Sequence, residues 1–79
     1  MEYRTEQAVL PSFGQVEKVI VEGRWVGFLR RLPRTPDQAI GEVWMAHYGG
    51  LGGHGVNSKQ EGLQKIVSYA QEHPDYVMQ

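Results

Sequence analysis

The sequence predicts an α+β domain: a three-stranded antiparallel sheet with one C-terminal helix packed on one face. Three observations predict it. Glu22-Gly23 links two apolar-rich runs in the manner of a tight hairpin, Glu42 to Tyr48 has the pattern of a third strand, and Ser58 to Glu72 joins a capping signal to a single apolar stripe. Residues 15–79 read as a single small domain, preceded by an N-terminal arm over residues 1–14.

In the arm, charged residues mix with Ala8-Val9-Leu10, and Pro11 with Gly14 marks a turn. The short apolar run has two uses, as an added edge strand or as a flap over the core. Gln15 to Val21 and Arg24 to Leu32 form the hairpin. Gly23 supplies the positive φ that its turn needs. The expected register pairs Val21 with Arg24, Ile20 with Trp25, Val19 with Val26, Lys18 with Gly27, Glu17 with Phe28 and Val16 with Leu29. Period two then places Val16, Ile20, Trp25 and Leu29 on one face, with Lys18 as its exception. Val19, Val21, Val26, Phe28 and Leu32 share the other with Glu17, Arg24 and Arg30. The first face carries less charge and is assigned to the helix, although a slip of one residue would exchange the two.

Pro33 to Ile40 holds two prolines and Asp37, which do not suit a central strand, so it reads as an exposed loop. The third strand alternates Val43, Met45 and His47 with Trp44, Ala46 and Tyr48. In the helix, Ser58-Lys59-Gln60-Glu61 has the capping-box form, in which Ser58 accepts from the Glu61 amide and Glu61 reaches back to the Ser58 amide. Leu63, Ile66, Val67 and Ala70 make the apolar stripe, and Pro74 ends the helix near Glu72. Gly62 in the first turns reads either as a close packing point or as a tolerated residue with no role.

Seventy-nine residues make one domain, and a chain of this size buries only about 60% of its unfolded surface. With no cysteine, disulfides, thiolate zinc sites and cysteine nucleophiles are excluded. Eight Lys plus Arg against nine Asp plus Glu give a formal charge of -1, so bulk charge indicates neither a strongly cationic nucleic-acid binder nor an acidic DNA mimic. No apolar run approaches the roughly 18 residues of a membrane span, and no signal-peptide pattern opens the chain. A cytoplasmic protein without membrane contact is expected.

Gly50-Leu51-Gly52-Gly53-His54-Gly55 matches a dinucleotide fingerprint between a strand and a helix. A nucleotide-binding unit then needs a second parallel strand carrying an acid about 20 residues on, and only Pro74 to Gln79 follow the helix. No cofactor is expected. The run reads as a turn that lets the helix fold back on the sheet, or as a set of amides able to hold an anion. His47, His54 and His73 lack metal-ligand spacing, and no serine or carboxylate has an identifiable catalytic partner, so the chain reads as a non-enzyme.

The strongest candidate surface is basic and aromatic. Arg24, Arg30, Arg31 and Arg34 fall in one stretch without an acid, beside Trp25 and Phe28. Arginine and tryptophan are common interface anchors, and arginine with aromatics also grips phosphates and bases. Surface arginines equally often serve solvation alone. Tyr48 and His54 complete the expected partner-binding set.

Gly23-Arg24-Trp25-Val26, Val43-Trp44, Ser58-Lys59-Gln60-Glu61-Gly62-Leu63 and Tyr69-Ala70 resemble the strand, strand, helix spacing of plant ethylene-response-factor DNA-binding domains. The topology is similar to that of phage integrase arm-binding domains. The likeness spans residues 23–70 in short clusters and implies a sheet face that reads DNA. The Gly49 to Gly55 insertion and the slightly acidic charge depart from those families.

The expected function is a small non-catalytic module that binds a protein, of the accessory or inhibitor type that phages and mobile elements encode. DNA or RNA binding through the arginine-rich sheet face is the alternative. A homodimer is also expected: one helix covers one sheet face, which leaves Val19, Val21, Val26 and Phe28, or the opposite set, in need of cover. Val9, Leu10 and Phe13 of the arm compete for the same patch.

Overall fold

The computed structural model describes residues 2–32, 43–50 and 52–78. Among the described residues, five strands, β1 (Tyr3–Leu10), β2 (Gly14–Val21), β3 (Arg24–Arg31), β4 (Trp44–His47) and β5 (Gly53–Val56), precede the helix α1 (Lys59–Glu72). The strands form one antiparallel sheet in the order β1-β2-β3-β4-β5, and α1 packs across it. The α+β class with a single C-terminal helix is as expected, but the sheet has five strands where three are predicted.

Both additional strands are edges. Tyr3 to Leu10, read from sequence as part of an arm, pairs with β2 along its whole length, from Tyr3 opposite Val21 to Leu10 opposite Gly14. Strand β5 is Gly-His-Gly-Val, in which only Val56 is buried. Gly49, Gly50 and Gly52 take positive φ, so part of the glycine run makes the β4 to β5 turn before the chain reaches the helix. The expected Pro33 to Ile40 loop, with Arg34, lies outside the described residues.

The hairpin register holds for its first two pairs and then shifts. Val21 faces Arg24 and Ile20 faces Trp25, but Val19 faces Gly27, Lys18 faces Phe28 and Glu17 faces Leu29. Val26 is the extra residue of a β-bulge, which advances β3 by one and puts Leu29 on the face opposite Val16 and Ile20. Helix α1 therefore covers Glu17, Val19 and Val21 of β2 with Gly27 and Leu29 of β3, which reverses the face predicted for Val16 and Ile20. Lys59 on α1 pairs with Glu17 at 2.7 Å, and a Cβ on Gly27 would lie 2.9 Å from Ile66 Cγ2.

The core is Val19, Val21, Val26, Leu29, Ala46, Val56, Ile66 and Ala70, with Leu63 and Val67 partly buried beside it. Burying a side chain of the size of Ile66 or Leu29 contributes about 1.5–3 kcal/mol. The helix presents Gly62, Ile66 and Ala70 as its most buried residues. Gly62 is thus a close packing point, where a Cβ would lie 2.5 Å from Leu29 Cδ2. Ser58 caps the helix by accepting from the Glu61 amide at 3.1 Å. The return bond of the capping box goes elsewhere, since the Glu61 carboxylate accepts from the Asn57 amide at 2.7 Å.

Beyond His73 the chain turns back along the start of β3. The Met78 amide donates to the Trp25 carbonyl at 2.8 Å, and Arg24 Nη1 donates to the Tyr76 carbonyl at 2.8 Å. These bonds tie the tail to the strand end beside the bulge.

Candidate partner-binding face

The sheet face opposite α1 carries Val16, Lys18 and Ile20 of β2, Phe28 and Arg30 of β3, and Met45 and His47 of β4, because period two sends these side chains away from the helix. Phe28 is only 4% exposed. Its ring stacks on His47, with centroids 4.4 Å apart and planes 7° from parallel. Phe13, from the turn between β1 and β2, lies 5.2 Å from Phe28 and 4.9 Å from His47. Phe13 itself stays 41% exposed.

Arg30 finishes this stack. Its guanidinium carbon sits 5.0 Å from the Phe13 ring centroid, and its Nε donates to His47 Nε2 at 3.0 Å. An accepting Nε2 requires the neutral imidazole with its proton on Nδ1. Glycine at position 53 leaves room for the assembly, since a Cβ there would come within 2.8 Å of His47 Cε1 and would also meet the Met45 methyl. Nearby, Lys18 Nζ lies 4.2 Å from the Trp25 ring centroid, and the indole N–H donates to the Gly27 carbonyl at 2.8 Å.

Burial, then Arg30 and His54, lower the His47 pKa below its ordinary value near 6.5. The sign of the stability effect follows. The unfolded chain takes up the His47 proton first on acidification, so the contribution is fully present above about pH 6.5 and is lost as pH falls toward the folded midpoint. An NMR titration of the His47 ring is expected to give a midpoint below about 6.5; a midpoint above that value would break the Arg30 to His47 assignment.

The predicted arginine cluster is dispersed in the structure. Arg24 is tied to the C-terminal tail, whereas Arg30 belongs to the aromatic stack on the opposite face. Arg31, on the helix side of β3, is separated from Arg24 by the length of the strand, roughly 23 Å at 3.3 Å per residue. Phe28 lies with Arg30, Trp25 sits farther along the same face beside Lys18, and Tyr48 and His54 belong to a different group. His54 stacks on Tyr48 at 4.9 Å, Tyr48 meets Tyr69 at 5.3 Å, and Tyr69 meets His73 at 4.2 Å and Tyr76 at 5.2 Å.

His47 is the residue that the sequence reading omits from the face, and its signal is its alternation with Met45 in β4. The sequence reads Phe13 only as arm cover for the patch that includes Phe28; it does lie on Phe28, and its exposed ring belongs with the contact residues as well.

Val19, Val21 and Val26 lie under α1, and Phe28 lies under Phe13. The uncovered apolar face on which self-association is predicted is therefore already covered within one chain. Among the described residues no helix is long and apolar enough to cross a membrane. Comparison with protein families, with curated proteins and with solved structures finds no match to this chain.

Proposed function

We propose that the chain is a non-catalytic module that binds another protein through the sheet face opposite α1, with Phe13 and Arg30 as contact residues and Trp25 farther along the same face. The observation that carries this reading is the Arg30, Phe13, Phe28 and His47 stack. It holds an exposed aromatic ring and a guanidinium in fixed geometry, so less side-chain freedom is lost on binding. Arginine and large aromatics are the residue types that anchor such interfaces. The mixed charge of the face fits a protein partner better than a phosphate backbone, since Glu6 stands opposite Lys18 and pairs with Arg4. An accessory or inhibitor role of the kind encoded by phages and mobile elements is the finer form of the proposal.

Affinity capture from a host lysate, with and without nuclease, tests it. A protein retained after nuclease treatment is expected, with retention lowered about tenfold or more by Phe13→Ala and by Arg30→Ala. Lys65→Ala, on the exposed side of α1, is expected to change nothing. Capture that disappears with nuclease, or that is indifferent to both face substitutions, would overturn the proposal. The first of those outcomes points to nucleic acid.

A further inference from the structure

Strand β1 is the outer strand of the sheet, and among the described residues its outer edge has no partner strand. It is eight residues long, with no proline, no lysine and no bulge between Tyr3 and Leu10, and its two charges, Arg4 and Glu6, are of opposite sign. Strand β5, at the other edge, has four residues, two of them glycine, and offers a much shorter template.

The direction of the backbone groups on β1 is fixed by two bonds. The Glu2 carbonyl accepts from Glu22, and the Leu10 carbonyl accepts from Phe13, so the even-numbered residues turn their amide groups toward β2 and its turn. Amide groups alternate along an antiparallel strand, which leaves those of Tyr3, Thr5, Gln7 and Val9 directed outward. We propose that this edge pairs with the same edge of a second copy, antiparallel about a two-fold axis at Thr5, to make one continuous sheet across a homodimer.

Charge selects the register. An antiparallel pairing must bring outward-facing residues opposite one another, so permitted registers differ by two residues. With the axis at Thr5, Tyr3 faces Gln7 of the second copy, Thr5 faces Thr5, and Arg4 faces Glu6 twice over, once on each side of the axis. Moving the register by one permitted step in one direction places Glu6 against Glu6, and in the other Arg4 against Arg4. Like charges directly opposite are destabilising, while opposite charges and Thr–Thr pairs are favourable. Arg4 and Glu6 already meet within one strand at 2.8 Å, and both are exposed, so a second copy would extend this pair into a four-membered network. Tyr3, 49% exposed, would be partly covered on the helix side.

This dimer leaves the proposed partner-binding stack free and does not depend on it. Sedimentation equilibrium of the full chain up to about 1 mM is the test, and a reversible dimer is expected for the unaltered protein. Thr5→Pro removes an outward N–H that bonds to no described residue, and is expected to give a monomer with an unchanged far-ultraviolet circular dichroism spectrum. Independently, Arg4→Glu and Glu6→Arg are each expected to weaken association about tenfold or more, and the double exchange to restore it. A monomer at every concentration would overturn the proposal. So would a dimer indifferent to Thr5→Pro, or single charge reversals that the double exchange fails to rescue. Should Thr5→Pro disturb folding, the charge-exchange series decides alone.

Discussion

Leu29→Ala is expected to destabilise the fold by about 2–5 kcal/mol, measured by urea unfolding. Leu29 is fully buried where β3, β4 and α1 meet, and its Cδ2 fills the space directly beneath Gly62. The whole stability of a chain this size is roughly 4–12 kcal/mol at 0.05–0.15 kcal/mol per residue, so the loss is a large fraction of the total and the urea midpoint is expected to fall accordingly. A second substitution shows why. Gly62→Ala alone would drive a methyl against Leu29, but in the Leu29→Ala background the same methyl enters vacated space, and the gain of about 1 kcal/mol in helix propensity is released. The double variant should therefore be more stable than Leu29→Ala. A loss below about 1 kcal/mol for Leu29→Ala, or additive effects in the pair, would mean that α1 does not rest on Leu29.

Gly27→Ala is expected to be the most damaging single methyl addition. A Cβ at this position would lie 2.6 Å from the His47 carbonyl oxygen and 2.9 Å from Ile66 Cγ2. The first of these atoms is backbone in the neighbouring strand, so relief requires β3 and β4 to separate or the helix to lift. Overpacking of this kind costs about 1–3 kcal/mol and occasionally more. Ile66→Val is expected to return only part of the loss, since it eases the helix contact and leaves the carbonyl contact in place. Thermal unfolding of Gly27→Ala within a few degrees of the unaltered protein would contradict the close β3, β4 and α1 packing.

The helix was legible because its signals are local. Ser58 supplies the cap, Pro74 stops the ladder, and the stripe from Leu63 to Ala70 fixes a face. The two central hairpin strands were legible for the same reason, through the Glu22-Gly23 link. Strand β1 was hidden because it buries no complete face: Tyr3, Arg4, Thr5, Glu6 and Gln7 are all exposed, so hydrophobic alternation had nothing to report. Strand β5 was hidden by its glycines, which read as turn. The bulge at Val26 was the costliest omission, since one uncounted residue left Leu29 under the helix while Val16, Ile20 and Trp25, grouped with it by the unbulged register, turned to the other face. At the candidate face, Phe28, Arg30 and Trp25 were visible as residue types, but their grouping was not. Arg24 and Arg31 looked like their companions in sequence, while the strand holds them at its two ends and ties Arg24 to the C-terminal tail.

The order of the strands in the sheet is their order in the chain, and the element that covers their apolar side comes after all of them. Each hairpin can form from neighbours as synthesis proceeds, but Val19, Val21 and Leu29 have no lid until Ile66 and Ala70 have been made. During that interval the nascent sheet presents a greasy surface and an unprotected margin together, the combination that invites aggregation and chaperone capture. A helix of 14 residues is marginal in isolation and gains most of its stability as it docks, so the interval closes only when Ile66 and Ala70 reach the sheet, with the Ser58 cap favouring that last step.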